Sequence, residues 1–227
     1  MTGSIPPPST PSTVVHLRPL ASPLPVGFLA LAGGTFVVAG LQLEWMPPTQ
    51  GEAVALVLLA FVFPLQAAAS VLGFLCRDGV TATGMAVLSG TWLSLALVML
   101  AGPPGSTSKA VGLLLLLSAL ALWVPVTASG AAKPVASLVM ALASLRFLTT
   151  GVHELSGAEA WKHTAGVIGL VLAAVALYAS FALALEDQRR RPVLPTWRHG
   201  AGADAFTGDP PSRIGEVTGE AGVRNQL

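Results

Sequence analysis

Between Leu20 and Leu185, long apolar runs alternate with short polar breaks six times, and nearly every charged residue lies in a break. Residues 79–108, for example, contain no Asp, Glu, Lys, Arg or His. A helix needs about 20 apolar residues to cross the hydrocarbon core of a bilayer, and only helices and closed barrels satisfy their backbone hydrogen bonds there. The pattern therefore predicts an all-α membrane protein, a six-transmembrane-helix bundle. The predicted spans are 26–43, 53–75, 81–101, 110–129, 134–152 and 164–185.

The composition excludes an ordinary soluble enzyme. Charged residues make up 10% of the 227 residues and hydrophobic residues 53%, whereas a soluble domain carries about 25% charged residues. Residues 1–25 are rich in Pro, Ser and Thr, and residues 188–227 begin with arginines and continue with little apolar content. Because neither segment has enough apolar surface to fold by itself, we expect both to be disordered.

The distribution of Lys and Arg predicts the orientation in the membrane. Nine of these residues lie in the two terminal segments or in the breaks after the second and fourth spans. Two lie in the breaks after the third and fifth spans. Cytoplasmic segments carry the excess of Lys and Arg, so we expect a multi-pass protein of the cell membrane with both termini in the cytoplasm. The nine are Arg18, Arg77, Lys133, Arg189, Arg190, Arg191, Arg198, Arg213 and Arg224, and the two are Lys109 and Lys162.

Residues that carry chemistry are scarce in the spans. They contain no Asp or Glu, no histidine pair at metal-ligand spacing and no glycine-rich phosphate loop, and all four histidines lie in breaks or terminal segments. We therefore predict that the protein is not an enzyme and needs no metal or cofactor. Nothing in the pattern indicates a nucleic-acid partner, whereas membrane lipid is an obligatory one.

Three polar residues within the spans are candidates for contact with a solute. Arg146 either faces the interior, where it would draw an anion into a path, or extends to the outer headgroups or to Glu154. Gln66 either forms a hydrogen bond with a neighbouring helix or contacts a small polar solute. Thr35 either contacts a solute or bonds to carbonyls of its own helix.

Small residues and prolines suggest how the helices pack. The pairs Ala86–Gly90 and Gly169–Ala173 have the spacing that lets membrane helices approach closely. Several small residues of the first and third spans would instead leave room for a pore: Gly33, Gly34, Gly84, Ser89 and Gly90. Pro64 and Pro125 predict simple kinks or, alternatively, broken helices at a transport site.

Three collinear stretches between residues 22 and 195 resemble motifs of the acetate uptake transporter family, the succinate–acetate permeases of bacteria and their fungal relatives. The chain has Ser-Pro-Leu-Pro-Val-Gly from Ser22, where the family has Asn-Pro-Ala-Pro-Leu-Gly. Gln66 and Leu88-Ser-Gly-Thr-Trp-Leu form the second stretch; Ala165-Gly-Val-Ile-Gly, a later Tyr and Arg191-Pro-Val-Leu-Pro form the third. The matched motif residues are Ser22, Pro23, Pro25, Gly27, Trp92, Gly166, Gly169 and Tyr178.

The resemblance implies a six-helix protomer, assembled as a hexamer, whose own bundle passes acetate or similar small monocarboxylates. The family narrows its path with a Phe, a Tyr and a Leu, which correspond by motif offset to Leu31, Leu88 and Ala141. The narrow zone is therefore expected to be apolar but shaped differently, which leaves the exact substrate open. The expected substrate path comprises Leu31, Thr35, Gln66, Leu88, Ala141 and Arg146.

The chemistry of a carboxylate in a narrow apolar path leaves two options. The solute crosses as the neutral acid, so that its own proton is the coupled ion, or polar contacts outside the narrow zone hold the anion. Because the spans offer no carboxylate as a proton shuttle, we expect proton coupling through the substrate's own proton or at the mouths of the path. The alternative functions are transport of another small solute, such as ammonium or a urea-like molecule, and a non-transporting membrane scaffold or sensor.

Overall fold

The computed structural model describes residues 21–189, 191 and 193–198, and all regular elements within this part of the chain are helical. Six of its helical segments are long and apolar enough to cross a membrane, which confirms the predicted six-helix bundle. They are α1 (Leu24–Gln42), α2 (Pro48–Leu75), α3 (Gly79–Ala101), α4 (Lys109–Ser129), α5 (Pro134–Ser156) and α6 (Glu159–Arg189).

Large apolar side chains cover the outside of the bundle. Leu113, Leu117 and Leu120 on α4 are 63%, 64% and 70% exposed. Exposed apolar surface on this scale is unfavourable in water, but it matches the hydrocarbon core of a bilayer. The chain is therefore a membrane protein whose helices present their apolar outer faces to lipid.

Both described ends of the chain lie at the same end of the bundle. The Ser180 hydroxyl on α6 donates to the Pro25 carbonyl at the start of α1, at 2.7 Å. We call this the terminal end and the opposite one the far end. Because the helices alternate in direction, α1, α3 and α5 run from the terminal end to the far end, and α2, α4 and α6 return.

Prolines shape α2 and α4. Pro64 in α2 follows a turn of π-helix, Leu58–Val62, and Pro125 in α4 follows a one-residue interruption at Leu122. A proline has no N–H to donate to the carbonyl four residues earlier, and its ring pushes that carbonyl aside. The local departures from α-geometry before these two residues have this cause, and the helices continue beyond them.

The predicted fifth and sixth spans leave residues 153–163 as a polar loop between them, and this prediction is wrong. Helix α5 continues to Ser156 and α6 begins at Glu159, so the connection is only two residues long. Gly157 makes this turn possible because it adopts a left-handed φ of 69° and its N–H donates to the His153 carbonyl at 2.7 Å. Polar residues here signal helix ends that extend beyond the apolar core rather than an irregular loop.

Part of each segment predicted to be disordered is ordered, and the prediction is wrong for these residues. Helix α1 begins at Leu24 with Pro25 in its first turn, where the fixed φ of proline suits a helix. In the C-terminal segment, the Tyr178 hydroxyl donates to the Pro195 carbonyl at 2.8 Å, and Arg198 forms an ion pair with Glu186 at 2.6 Å. Residues 193–198 therefore pack against α6, whereas residues 1–20, 190, 192 and 199–227 lie outside the described residues.

The two small-residue pairs have different surroundings. Gly169 and Ala173 are buried on α6, whose main partner is α1. Ala86 and Gly90 are exposed on α3, and a Cβ added at Gly90 would meet no atom within 4 Å. The prediction of packing within the bundle is therefore wrong for this second pair.

Two of the glycines considered for a pore are in close contact with neighbours. A Cβ at Gly34 would lie 2.7 Å from Cγ2 of Val62, and one at Gly84 would lie 2.9 Å from Cε of Met140. Side chains of adjacent helices therefore occupy the space beside these two glycines.

Candidate functional site

Arg146 faces the interior of the bundle. Its side chain is 1% exposed, and its guanidinium donates to the Thr35 carbonyl at 2.9 Å, to the Thr35 hydroxyl, and to the Gln42 side-chain carbonyl at 3.1 Å. Its Cζ lies 5.8 Å from the centroid of the Trp92 ring. The alternative in which Arg146 pairs with Glu154 is wrong, because Glu154 instead accepts from the Ser108 N–H at 2.7 Å.

A glycine on α6 makes room for this arginine. A Cβ added at Gly169 would lie 2.9 Å from Cζ of Arg146 and closer still to its Nη1. The Gly169 carbonyl also accepts a hydrogen bond from the Thr35 hydroxyl at 3.5 Å. The family-motif residue Gly169 therefore allows a cation from α5 to reach the contact between α1 and α6.

The partners of Arg146 are neutral oxygens. Among residues 21–189, 191 and 193–198, no carboxylate oxygen lies within 4.0 Å of its guanidinium. Gln42 is held in turn by its amide N–H₂, which donates to the Thr150 hydroxyl at 3.4 Å. The interior therefore holds a positive charge that is hydrogen-bonded but has no anionic partner in the described part of the chain.

Trp92 packs beside this charge with an unused donor. Its ring contacts Phe147 edge to face, with centroids 5.7 Å apart. The side chain is 1% exposed, and the indole Nε1 is buried without a hydrogen-bond partner. Sequence reasoning assigned Trp92 only to a family motif, because an indole in an apolar run is usually a packing residue.

Gln66 is the complementary case, with an unused acceptor. It is fully buried on α2; its Nε2 donates to the Gly27 carbonyl on α1 at 3.5 Å, and its Oε1 is buried without a partner. The predicted hydrogen bond to a neighbouring helix is present, and it occupies one half of the amide. The other half remains able to accept from a solute.

The three residues expected to narrow the path lie at similar heights in the bundle. Leu31 is one helical turn before Thr35, Leu88 is one turn before Trp92, and Ala141 is five residues before Arg146. At about 1.5 Å per residue these offsets are about 6 to 8 Å, all towards the terminal end. We call Leu31, Leu88 and Ala141 the apolar layer, and Thr35, Trp92 and Arg146 the arginine layer.

Gln66 lies on the other side of the apolar layer. Its partner Gly27 is one turn before Leu31, again about 6 Å nearer the terminal end. Leu31 and Leu88 are fully buried and Ala141 is half-buried. The predicted path residues thus form three successive levels along the bundle: Gln66, the apolar layer and the arginine layer.

The remaining motif residues connect α1 with its neighbours. Ser22 is exposed just before α1, and the Pro23 carbonyl accepts from the Gly27 N–H at 3.2 Å in the first turn. A Cβ at Gly166 on α6 would lie 2.7 Å from Cγ of Leu43. Together with the hydrogen bonds of Pro25 and Tyr178, these contacts hold α1, α6 and the C-terminal segment in position.

A pocket at the terminal end, which the sequence did not predict, brings two cations together. It is lined by Leu24, Lys133, Val135, Ala136, Leu183, Thr196 and Arg198. Lys133 is paired with Asp78 in the turn before α3, and Arg198 is paired with buried Glu186. Burial raises the pKa of Asp78, but the Lys133 charge and the hydrogen bonds from Lys133 and Thr81 outweigh it, so that the pKa lies below its ordinary value.

Within the described part of the chain, one group of potential metal ligands lies at the far end. Glu44, Glu159 and His163 place ligand atoms within 4.8 Å of one another, and all three residues are exposed. Lys162 already lies between the two carboxylates, with its Nζ 3.0 Å from Glu44 and 2.9 Å from Glu159. An ammonium partner at this position accounts for the cluster without a metal.

Comparison with known proteins places this arrangement in context. Residues 3–198 match the model of the GPR1/FUN34/yaaH family. A solved structure described as that of the bacterial acetate channel SatP has a TM-score of 0.70 and 21% sequence identity, over 78% of this chain and 99% of that chain. At this identity, the likeness shows a common six-helix fold. No curated protein matches the chain.

Proposed function

Because the chain belongs to the GPR1/FUN34/yaaH family, the acetate transporter family that its motifs resemble, we propose that it passes acetate or similar small monocarboxylates through its own helix bundle. The described part of the chain has the fold of a chain described as an acetate channel. Thr35, Gln66 and Arg146, the polar residues of the expected substrate path, are all buried within this bundle.

The succession of three levels is the observation that carries this proposal. The apolar layer of Leu31, Leu88 and Ala141 separates the Gln66 amide from the arginine layer. A small carboxylate can pass an apolar constriction only if polar groups on either side replace water before and after it. Gln66 on one side and Thr35 with Arg146 on the other meet this requirement.

The proton accompanies the solute in this scheme. A neutral acid crosses the apolar layer far more easily than its anion, because an unpaired charge in an apolar environment is very unfavourable. The unused Gln66 Oε1 suits the hydroxyl of a neutral acid, since it can only accept a hydrogen bond. Transport is therefore linked to protons through the substrate's own proton.

We propose that the terminal end is cytoplasmic and that the protein lies in the cell membrane. Arg77, Lys133, Arg189 and Arg198 lie towards this end, whereas Lys109 and Lys162 lie towards the far end, as the positive-inside rule requires. A homo-hexamer, as the resemblance implies, would cover part of the exposed apolar surface of each protomer and leave each bundle its own path.

Uptake of labelled acetate into proteoliposomes tests the function. Vesicles with the protein are expected to take up acetate faster than empty vesicles, and faster still when the outside is more acidic than the lumen. Propionate and succinate added in excess report on the substrate range. Flux no higher than in empty vesicles contradicts the proposal, and flux that does not respond to the pH gradient contradicts the proton link.

The same assay separates the alternative functions. Competition by ammonium or urea without competition by propionate would identify a carrier of a different small solute. Removal of residues 200–227 is expected to leave acetate uptake unchanged, because the three levels lie within the helix bundle. Loss of function on this truncation would instead indicate a sensor that depends on its C-terminal segment.

A further inference from the structure

Among the described residues, the interior of the bundle contains a cation without an anionic partner. The guanidinium of Arg146 is bonded only to neutral oxygens, and no carboxylate of the described residues lies within salt-bridge distance. A charge removed from water is stable only when it is well compensated. Neutral hydrogen bonds compensate only part of this charge, so the site favours the arrival of an anion.

A second, independent feature lies beside it. The Trp92 indole N–H is a donor with no acceptor, although the side chain is 1% exposed and its ring lies next to the guanidinium. Almost all buried donors in proteins are paired, and a native exception calls for a specific explanation. The unpaired indole N–H requires an acceptor, and the partly compensated cation beside it favours an acceptor that carries negative charge.

We propose that Arg146 and Trp92 together form a binding seat for the ionised carboxylate of the transported solute. This inference rests on the proposed function and names the form of the solute held at the arginine layer. On leaving the seat, the carboxylate takes up a proton from water and crosses the apolar layer as the neutral acid. The carboxylate accepts from the guanidinium and from the Trp92 N–H, and a planar guanidinium is well suited to bind its two oxygens. When the seat is empty, the guanidinium donates to the oxygens of Thr35 and Gln42. When a carboxylate binds, some of these N–H groups donate to the carboxylate instead.

The surroundings of the seat restrict the solute to a small molecule. Phe147 packs against the Trp92 ring at 5.7 Å, and the guanidinium lies directly over Gly169. Leu31 and Leu88 lie about one helical turn from the seat, so that an apolar chain attached to the carboxylate can contact them. A short aliphatic chain suits these contacts, whereas an uncharged amide of the same shape offers the seat no charge and an N–H₂ group that cannot accept.

The decisive experiment compares Trp92→Phe with Trp123→Phe in proteoliposomes. Trp92→Phe keeps an aromatic face beside the guanidinium and against Phe147 but removes the N–H. Trp123→Phe makes the same change at an outer position that is 51% exposed. We expect Trp92→Phe to raise the acetate concentration for half-maximal uptake about tenfold, since a hydrogen bond to a charged group is lost, and Trp123→Phe to leave it within twofold of wild type.

Two further readouts identify the charge of the bound form. In the wild type, propionate is expected to compete with acetate, whereas propionamide is not. Arg146→Met is expected to abolish this discrimination between the acid and the amide, and Arg146→Lys to retain part of it. With the same pH on both sides, half-saturation in total acetate is expected to be equal at about pH 7 and about pH 8. Binding of the neutral acid would raise it about tenfold, because the neutral fraction falls tenfold over that interval.

The outcomes separate the seat from the function itself. If wild-type vesicles carry no acetate, the proposed function is wrong. If they carry acetate but Trp92→Phe matches Trp123→Phe, or if half-saturation rises tenfold with pH, the function stands and the seat is overturned. Should Arg146→Met fail to assemble, the Trp92→Phe comparison and the pH comparison decide the question without it.

Discussion

Glycine at position 169 shows how a single missing side chain determines where a charge can lie. The Arg146 guanidinium occupies the space that a Cβ at this position would need. The sequence identified both residues, one as part of a close-packing pair and the other as a charged residue within a span. It could not show that they meet, because the contact joins α5 to α6 through side-chain directions that spacing along the chain does not encode.

Gly169→Ala is expected to destabilise the protein by roughly 2 kcal/mol, because the added methyl overpacks the interior and displaces the arginine from Thr35. Gly90→Ala is the matched control, since its Cβ would meet no atom within 4 Å. Thermal unfolding in detergent measures both. Equal midpoints for the two variants would show that Arg146 does not depend on the gap at Gly169.

The sequence also could not predict that Gln66 Oε1 and Trp92 Nε1 lack hydrogen-bond partners. Gln66 was expected either to form a hydrogen bond with a neighbouring helix or to contact a solute. In the structure, its Nε2 donates to α1, and its Oε1 has no partner. Trp92 lay in a recognised motif, but nothing in the sequence indicates whether an indole N–H finds a partner. Such partners are set by the packing of several helices at once.

At the scale of elements, apolar length predicted which segments are helices but not where they end. The residues around Gly157 are polar and were assigned to a loop, yet α5 and α6 extend through most of them. Helices in membrane proteins continue into the interface, where polar side chains are solvated. Hydrophobicity therefore locates the part of a helix within the hydrocarbon and not its true ends.

The turns at the terminal end are linked by one ion pair, which makes stability depend on pH. Asp78 caps α3 by accepting from the Thr81 N–H at 3.1 Å and pairs with Lys133 before α5. Because its pKa is lower in the folded state, the pair stabilises the fold fully above the unfolded pKa of 3.8 and is lost as pH falls from there through the folded pKa.

Asp78→Asn is expected to lower stability at neutral pH by about 1 kcal/mol, since the pair is only partly shielded from solvent and Asn still caps a helix well. The difference from wild type should shrink below about pH 4. Thermal unfolding across this range measures it, with Asp187→Asn at an exposed position as the control. A difference that does not change with pH would show that the carboxylate charge is not what links these turns.

At the scale of the whole molecule, hydrophobicity predicted the six-helix arrangement, and the order of the motifs predicted the family. The three levels inside the bundle could be recognised only from the structure. Motif offset placed Leu31, Leu88 and Ala141 on three separate helices. Only the parallel directions of α1, α3 and α5 and the contact of Arg146 with Thr35 show that the three lie at similar heights. We propose that a small carboxylate crosses the bundle past these residues.

The most direct test of this claim is acetate flux through Leu88→Tyr compared with Leu117→Tyr. Leu88 is fully buried in the apolar layer, whereas Leu117 is 64% exposed on the outside of the bundle. We expect Leu88→Tyr to change acetate flux, and the competition by propionate and succinate, by at least about tenfold, since a bulky polar side chain alters the constriction. Leu117→Tyr should behave as wild type. Equal flux and equal competition in both variants would show that the solute does not pass the apolar layer.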